Sequence, residues 1–152
     1  MASAAVLGTA LLSQYWGGLA PCELCLLQRW PWWAAIAIAA VALSLGDRSP
    51  PAVAAAILAL VFVISIGLAA YHFGVEQHWI AGPAACTAPS GGAATLEDLR
   101  RQILGQGVVM CDRPAWTLFG VSLAGWNALA SLIMAGVCLR ALRQACAAPG
   151  MA

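Results

Sequence analysis

The residues best suited to chemistry in this sequence are its cysteines, six in 152 residues. Cys22-Glu23-Leu24-Cys25 is a C-x-x-C motif at the start of a predicted helix. Peptide groups at a helix N-terminus stabilise a thiolate, and Arg29 follows Cys25 by one turn on the same face, so both effects are expected to lower the pKa of Cys25. Pro31 has no backbone donor and suits the beginning of a helix. An arginine near a hydrocarbon boundary is costly unless partnered, and Gln28 with Trp30, Trp32 and Trp33 would line a flat cavity beside it. The motif therefore reads as a redox dithiol facing a planar cofactor. The same residues also fit an inert disulfide, or a zinc half-site with Arg29 reaching for lipid headgroups.

A second set of thiols favours the redox reading. Cys86 and Cys111 fall on the same side of the chain's apolar segments as Cys22 and Cys25, so two dithiols can meet and pass electrons by thiol–disulfide exchange. A four-thiolate zinc or iron–sulfur site would require a second close pair, which the separation of Cys86 from Cys111 does not provide. Cys138 sits in an apolar helix, where a thiol is a small hydrophobe. Cys146 lies in a tail. Neither is assigned a function.

The elements that must hold these thiols follow from composition. The chain is 62% hydrophobic and 9% charged, contains no lysine, and carries a net charge of +1. That excludes a nucleic-acid binder, a disordered linker and a cytosolic globular enzyme, since a soluble domain needs roughly a quarter charged residues. Residues 1–22, 30–46, 49–75 and 114–139 contain no Asp, Glu, Lys or Arg, and each approaches the ~20 apolar residues that cross a bilayer. We expect an all-α membrane protein, a four-transmembrane-helix bundle with helices at about 2–19, 26–45, 52–73 and 118–139, forming one integral membrane domain over 1–152. Residues 77–96 are also free of charge after Gln77, but their Gly and Pro residues read as loop. Within the long loop at about 74–116, Thr95 to Leu104 opens with a capping-box-like Thr95 and Asp98 and places Leu96, Leu99 and Ile103 on one face, which predicts a short amphipathic helix on the membrane surface or capping the bundle.

The first segment lacks the positively charged start of a secretory signal, and Pro21 before Cys22 argues against a lipoprotein cleavage site. An even number of spans puts both termini on one side and the four candidate thiols on the other. Arginine counting does not orient the chain: Arg48, Arg140 and Arg143 lie on one side, and Arg29, Arg100, Arg101 and Arg113 on or near the other. Trp16, Trp30, Trp32, Trp33, Trp79 and Trp116 are expected as interfacial anchors.

The run Gly18-Leu19-Ala20-Pro21-Cys22-Glu23-Leu24-Cys25-Leu26-Leu27-Gln28-Arg29-Trp30-Pro31, the pair Cys86 and Cys111, the run from Cys111 to Gly120 and then Gly125-Trp126 resemble the bacterial DsbB family of disulfide bond formation proteins. The resemblance spans nearly the whole chain. It implies that Cys22 and Cys25 are the membrane-side pair with Cys25 beside a quinone ring, that Arg29 interacts with the quinone, and that Cys86 forms a mixed disulfide with a reduced DsbA-like periplasmic thioredoxin-fold protein, Cys111 being its loop partner. A family histidine near the quinone corresponds to His72, with His78 as rival. Glu23 and Glu76 receive no role beyond solvation at the membrane edge.

The implied function is a quinone-dependent thiol oxidase, with ubiquinone or menaquinone as acceptor. A DsbA-like oxidant sits near roughly −120 mV, so structural disulfides below about −300 mV cannot reoxidise it and a stronger acceptor is needed. Disulfides persist on the oxidising face, which orients the thiols to the periplasm of a bacterial inner membrane and the termini to the cytoplasm. Alternatives are a paralogue with a dedicated partner, a vitamin K epoxide reductase-like enzyme, whose accessory pair would precede the membrane-side C-x-x-C, and a small transporter, which would carry a buried ionisable residue within a span.

Overall fold

A computed structural model describes residues 1–83, 95–97, 100 and 109–147. In chain order the elements are α1 (Ala2–Tyr15), the short α2 (Glu23–Leu27), α3 (Trp30–Leu45), a 3-10 turn (Gly46–Arg48), α4 (Pro51–Glu76), a hairpin of β1 (Thr117–Leu118) and β2 (Val121–Ser122), and α5 (Leu123–Ala147). Three stretches, Glu23–Leu45, Pro51–Glu76 and Leu123–Ala147, are long and apolar enough to cross a membrane. The fourth expected span differs. α1 has 14 residues, a rise of about 21 Å against a hydrocarbon core of about 30 Å. It ends at Tyr15 rather than residue 19 because the chain turns sharply at Gly17, where a Cβ would lie 2.6 Å from the Ser13 carbonyl oxygen.

Two further boundaries depart from expectation. The last helix starts at Leu123, not near 118, because Phe119 and Gly120 both take positive φ, 52° and 76°, the geometry of a two-residue hairpin turn. Thr117 pairs with Ser122 and Leu118 with Val121, a small β element in a chain expected to be all-α. Ser122 then caps α5, its hydroxyl accepting from the Gly125 N–H at 3.2 Å. The helix runs on through Arg140 and Arg143, whose long stems let a charge reach water from the end of a span.

α4 outlasts its expected end at 73 and closes in a Schellman motif. Trp79 N–H bonds the Gly74 carbonyl at 2.9 Å and His78 N–H bonds that of Val75 at 3.0 Å, with His78 at φ 58°. Phe73 and Trp79 complete it edge to face, centroids 6.0 Å apart. Glycine occupies this left-handed position without a Cβ penalty. His78→Gly is therefore expected to hold or raise thermal stability by up to about 1 kcal/mol, measured by unfolding in detergent.

The bundle packs through small residues. α4 buries Ala55, Ala59, Ser65 and Ala69, and α5 buries Ala124, Ser131, Ala135 and Cys138, while Ile57, Leu60, Val63, Ile64, Leu132 and Ile133 face outward. In lipid, apolar bulk gives no drive for helix association, so close backbone approach and interhelical hydrogen bonds take over. Ser65 and Ser131, both fully buried, bond across the seam at 2.8 Å. Ser131→Ala should cost about 0.6–1.7 kcal/mol of stability, readable in the same unfolding assay. Above the seam, Leu7 of α1, Trp32 and Ala35 of α3, Ala59 and Phe62 of α4, and Ala135 and Cys138 of α5 form one core, so α1 joins the bundle despite its length.

Candidate active site

Pro31 determines the local form of the C-x-x-C segment. Proline cannot donate to the carbonyl four residues earlier and its ring crowds that carbonyl, so the helix breaks at Gln28 and Arg29 and α2 stands alone ahead of α3. Cys22 is the N-cap of α2: its sulfur accepts the Cys25 backbone N–H at 3.1 Å. The two sulfurs face each other at 2.7 Å. Cys22 is buried and Cys25 half-buried.

This geometry moves the anionic sulfur from where the motif suggested. The hydrogen bond from the Cys25 thiol holds Cys22 far below the usual thiol range; burial opposes it, and His72 and the Cys25 amide add to the lowering. Helix N-terminal N–H groups converge on the capping residue, which is Cys22, whereas Cys25 is already inside the first turn.

α4 brings His72 to the pair. Its Nε2 lies 3.6 Å from the Cys22 sulfur and 3.7 Å from Glu76 Oε1, one turn further along α4. Its Nδ1 lies 2.6 Å from the Gln28 side-chain nitrogen. The Gln28 oxygen accepts from Asn127 Nδ2 at 2.7 Å, and Asn127 Oδ1 accepts from the Trp32 indole N–H at 2.8 Å. Cys22, Cys25 and His72 each bring one ligand atom within 4.8 Å of the others, a spacing that could hold a metal ion. The carboxyl of Glu76 takes a hydrogen bond from Ser122, while its Oε2 is buried without a hydrogen-bond partner.

Cys111 belongs to the same site. It is disulfide-bonded and fully buried in a cluster with Cys22, Leu24 and Val75, on which Cys25, Tyr71 and Val109 pack. Cys22, Cys25, Cys138 and Cys146 are free thiols. A dithiol capping a helix and a disulfide thus share one apolar cluster at the end of a membrane bundle.

That arrangement is accompanied by a match along the chain: the family model "Disulfide bond formation protein DsbB" covers residues 1–141. The chain belongs to the DsbB family. It is 28% identical to Disulfide bond formation protein B of Stutzerimonas stutzeri (strain A1501) over 147 residues, 91% of this chain and 87% of that one. It is 26% identical to the uncharacterized protein RP370 of Rickettsia prowazekii (strain Madrid E) over 133 residues, 84% of this chain and 74% of that one. No solved structure matches it. As a DsbB family member with three membrane-crossing helices it is a multi-pass membrane disulfide oxidoreductase.

Not every residue expected at the site of this DsbB family member meets there. Arg29 turns to α1, its Nη1 donating to Gln14 Oε1 at 2.7 Å, and so ties the α2–α3 junction to the first helix. Of the two histidines, His72 is buried against Cys22 while His78 is exposed and ends α4. Trp32 is no interfacial anchor: it is 2% exposed in the core, edge to face with Phe62 at 5.2 Å. Trp16, Trp30, Trp33, Trp79 and Trp116 are exposed. Cys86 lies outside the described residues, as does most of the expected helix at 95–104; Leu96, Glu97 and Arg100 are helical and exposed.

Two site residues escaped the sequence reading. Glu76 was placed at the membrane edge, yet it is buried beside His72; the signal available was its i,i+4 spacing from a histidine at the end of a charge-free run. Asn127 is the chain's single asparagine and sits inside a span, where polar side chains are costly enough to mark function.

Proposed function

We propose that the protein is a quinone-dependent thiol oxidase that reoxidises a periplasmic thioredoxin-fold dithiol protein. The observation that carries this reading is the shared burial of the Cys22/Cys25 dithiol with the disulfide-bonded Cys111. With four cysteines free, Cys86 is the partner we assign to Cys111. A thiolate of the substrate protein attacks Cys86 and expels Cys111, and the substrate's second thiol then closes its own disulfide and releases Cys86. Cys111, as thiolate, attacks Cys22 of an oxidised Cys22–Cys25 pair and expels Cys25. Cys86 next attacks Cys111, which reforms the loop disulfide and releases Cys22. Each cycle transfers two electrons to the membrane-side pair.

Those electrons need a sink stronger than a structural disulfide. A bound membrane quinone, ubiquinone or menaquinone, would supply that sink for two electrons and two protons, and Cys22 and Cys25 would return to their disulfide. Two features support a ring-binding site: Cys25 is half-buried, and the same short helix, α2, borders a largely apolar groove of about 300 Å³ lined by Glu23, Leu24, Leu26, Leu27, Trp30 and Pro83. Arg29 stands at the head of α3 near this groove and would have to leave Gln14 to reach a ring oxygen. Glu76, with its carboxyl 3.7 Å from His72 Nε2, lies where a proton from the thiols can be held. The thiols face the periplasm, because disulfides persist on the oxidising side, and both termini face the cytoplasm when the short α1 is counted as a fourth crossing.

The purified protein supplied with a reduced thioredoxin-fold dithiol is expected to form one quinol per partner disulfide, with no turnover when quinone is omitted. Partner oxidation that proceeds at the same rate without quinone would overturn the acceptor assignment. Labelling in cells with a membrane-impermeant thiol reagent tests the orientation, which fails if Cys86 reacts only from the cytoplasmic side.

A further inference from the structure

The hydrogen-bond chain behind the dithiol has a direction, and its far end sets it. An indole N–H can only donate. Trp32 donates to Asn127, so the Asn127 oxygen must face Trp32 and its NH₂ must face Gln28. The Gln28 oxygen is thereby taken, and its NH₂ faces His72 Nδ1 at 2.6 Å. A donor at that distance needs a lone pair, so Nδ1 is unprotonated and the ring proton of neutral imidazole resides on Nε2. Nε2 is the nitrogen 3.6 Å from Cys22 and 3.7 Å from Glu76.

We infer that Trp32, Asn127 and Gln28 act as positioning residues that lock His72 in its Nε2–H tautomer and make it a fixed hydrogen-bond donor to the Cys22 sulfur. The inference deepens the thiol oxidase reading and rests on its assignment of Cys22 as a reacting sulfur. In the step where Cys86 expels Cys22, the electron pair of the breaking S–S bond stays on Cys22, and a donor held at Nε2 stabilises that charge without delivering a proton to it. A ring free to change tautomer would present a lone pair to the same sulfur and repel it. The lock also turns the three-residue cluster of Cys22, Cys25 and His72 away from metal binding, since a protonated Nε2 has no lone pair to offer.

The test uses the full-length reduced protein in detergent, labelled with ¹⁵N-histidine. The chain has two histidines, so His78→Asn leaves the His72 signals alone. The parent is expected to show Nε2 protonated and Nδ1 unprotonated near neutral pH. Gln28→Glu keeps size and shape but offers only oxygens, so it should bring a proton onto Nδ1. Gln28→Met removes the lock, should average the two tautomers, and should raise the midpoint for Cys22 thiolate formation by about one pH unit, the tenfold equivalent of one lost charge-assisted hydrogen bond. The groups acting on that sulfur are Cys25, His72 and Glu76; the midpoint is read in Gln28→Met, which adds no charge beside them. Because Trp32 is a core side chain, the Gln28 pair carries the test. A protonated Nδ1 in the parent, or unchanged ring signals in Gln28→Glu, overturns the lock. No readout involves a quinone, so a silent quinone assay beside the expected nitrogen signals removes the acceptor reading and leaves the lock standing.

Discussion

Replacing Cys25 by Ser is expected to stop sustained partner oxidation, a loss on the order of 10³-fold or more, as when a covalently acting group is removed. A hydroxyl can neither form the disulfide with Cys22 nor pass electrons onward, so the membrane-side pair is lost while the disulfide at Cys111 remains. The variant should therefore oxidise about one equivalent of reduced partner per chain and then stall, a stoichiometry read by quantifying partner disulfide against time. Continued turnover with quinone present would remove Cys25 from the electron path. Ser131→Ala, which keeps all the thiols and loosens only the helix seam, should leave sustained turnover intact and so separates damage to the bundle from damage to the chemistry.

The second large effect is in acidity. Cys22 is held well below the ordinary thiol range chiefly by the thiol of Cys25, with His72 and the Cys25 amide assisting. A depressed value means the sulfur is anionic above that value and regains its proton only as pH falls through it. In the reduced protein, thiolate absorbance from Cys22 should persist from pH 8 to below pH 6, where an unperturbed thiol near 8.5 has lost more than about 99% of its anion. Cys22→Ser should abolish the acid-resistant absorbance, and Cys25→Ala should move its midpoint upward, because the largest stabilising donor is then gone. Absorbance that fades near pH 8 in the parent would contradict the capped-thiolate geometry.

The same two sulfurs illustrate where reading from the chain stops. C-x-x-C and a following helix are visible in the residues, and they placed a reactive pair at a helix start. Which sulfur is the cap depends on where the first helical residue falls; in the fold that residue is Glu23, which leaves Cys22 outside the first turn of α2. Arg29 shows a similar limit. Its spacing from Cys25 permits a contact along one helix, but the helix is broken between them and Gln14 of α1 supplies a nearer acceptor.

Much of this protein is determined by the order of its residues alone. Long charge-free runs can be stable only in a bilayer, and they name the membrane class and, within a few residues, α3 and α4. The cysteine pattern names thiol chemistry; the family resemblance points to a histidine near the end of α4 and leaves His72 and His78 as rivals. Tertiary structure decided what no local pattern encodes. Glu76 became a buried neighbour of the dithiol, Trp32 a core side chain rather than an anchor, and Asn127 the joint between Trp32 and Gln28. Each of these depends on which faces of α3, α4 and α5 meet. In lipid that choice is made by small residues and a few interhelical hydrogen bonds, whose partners are up to 99 positions apart, so their pairing exists only once the helices have packed.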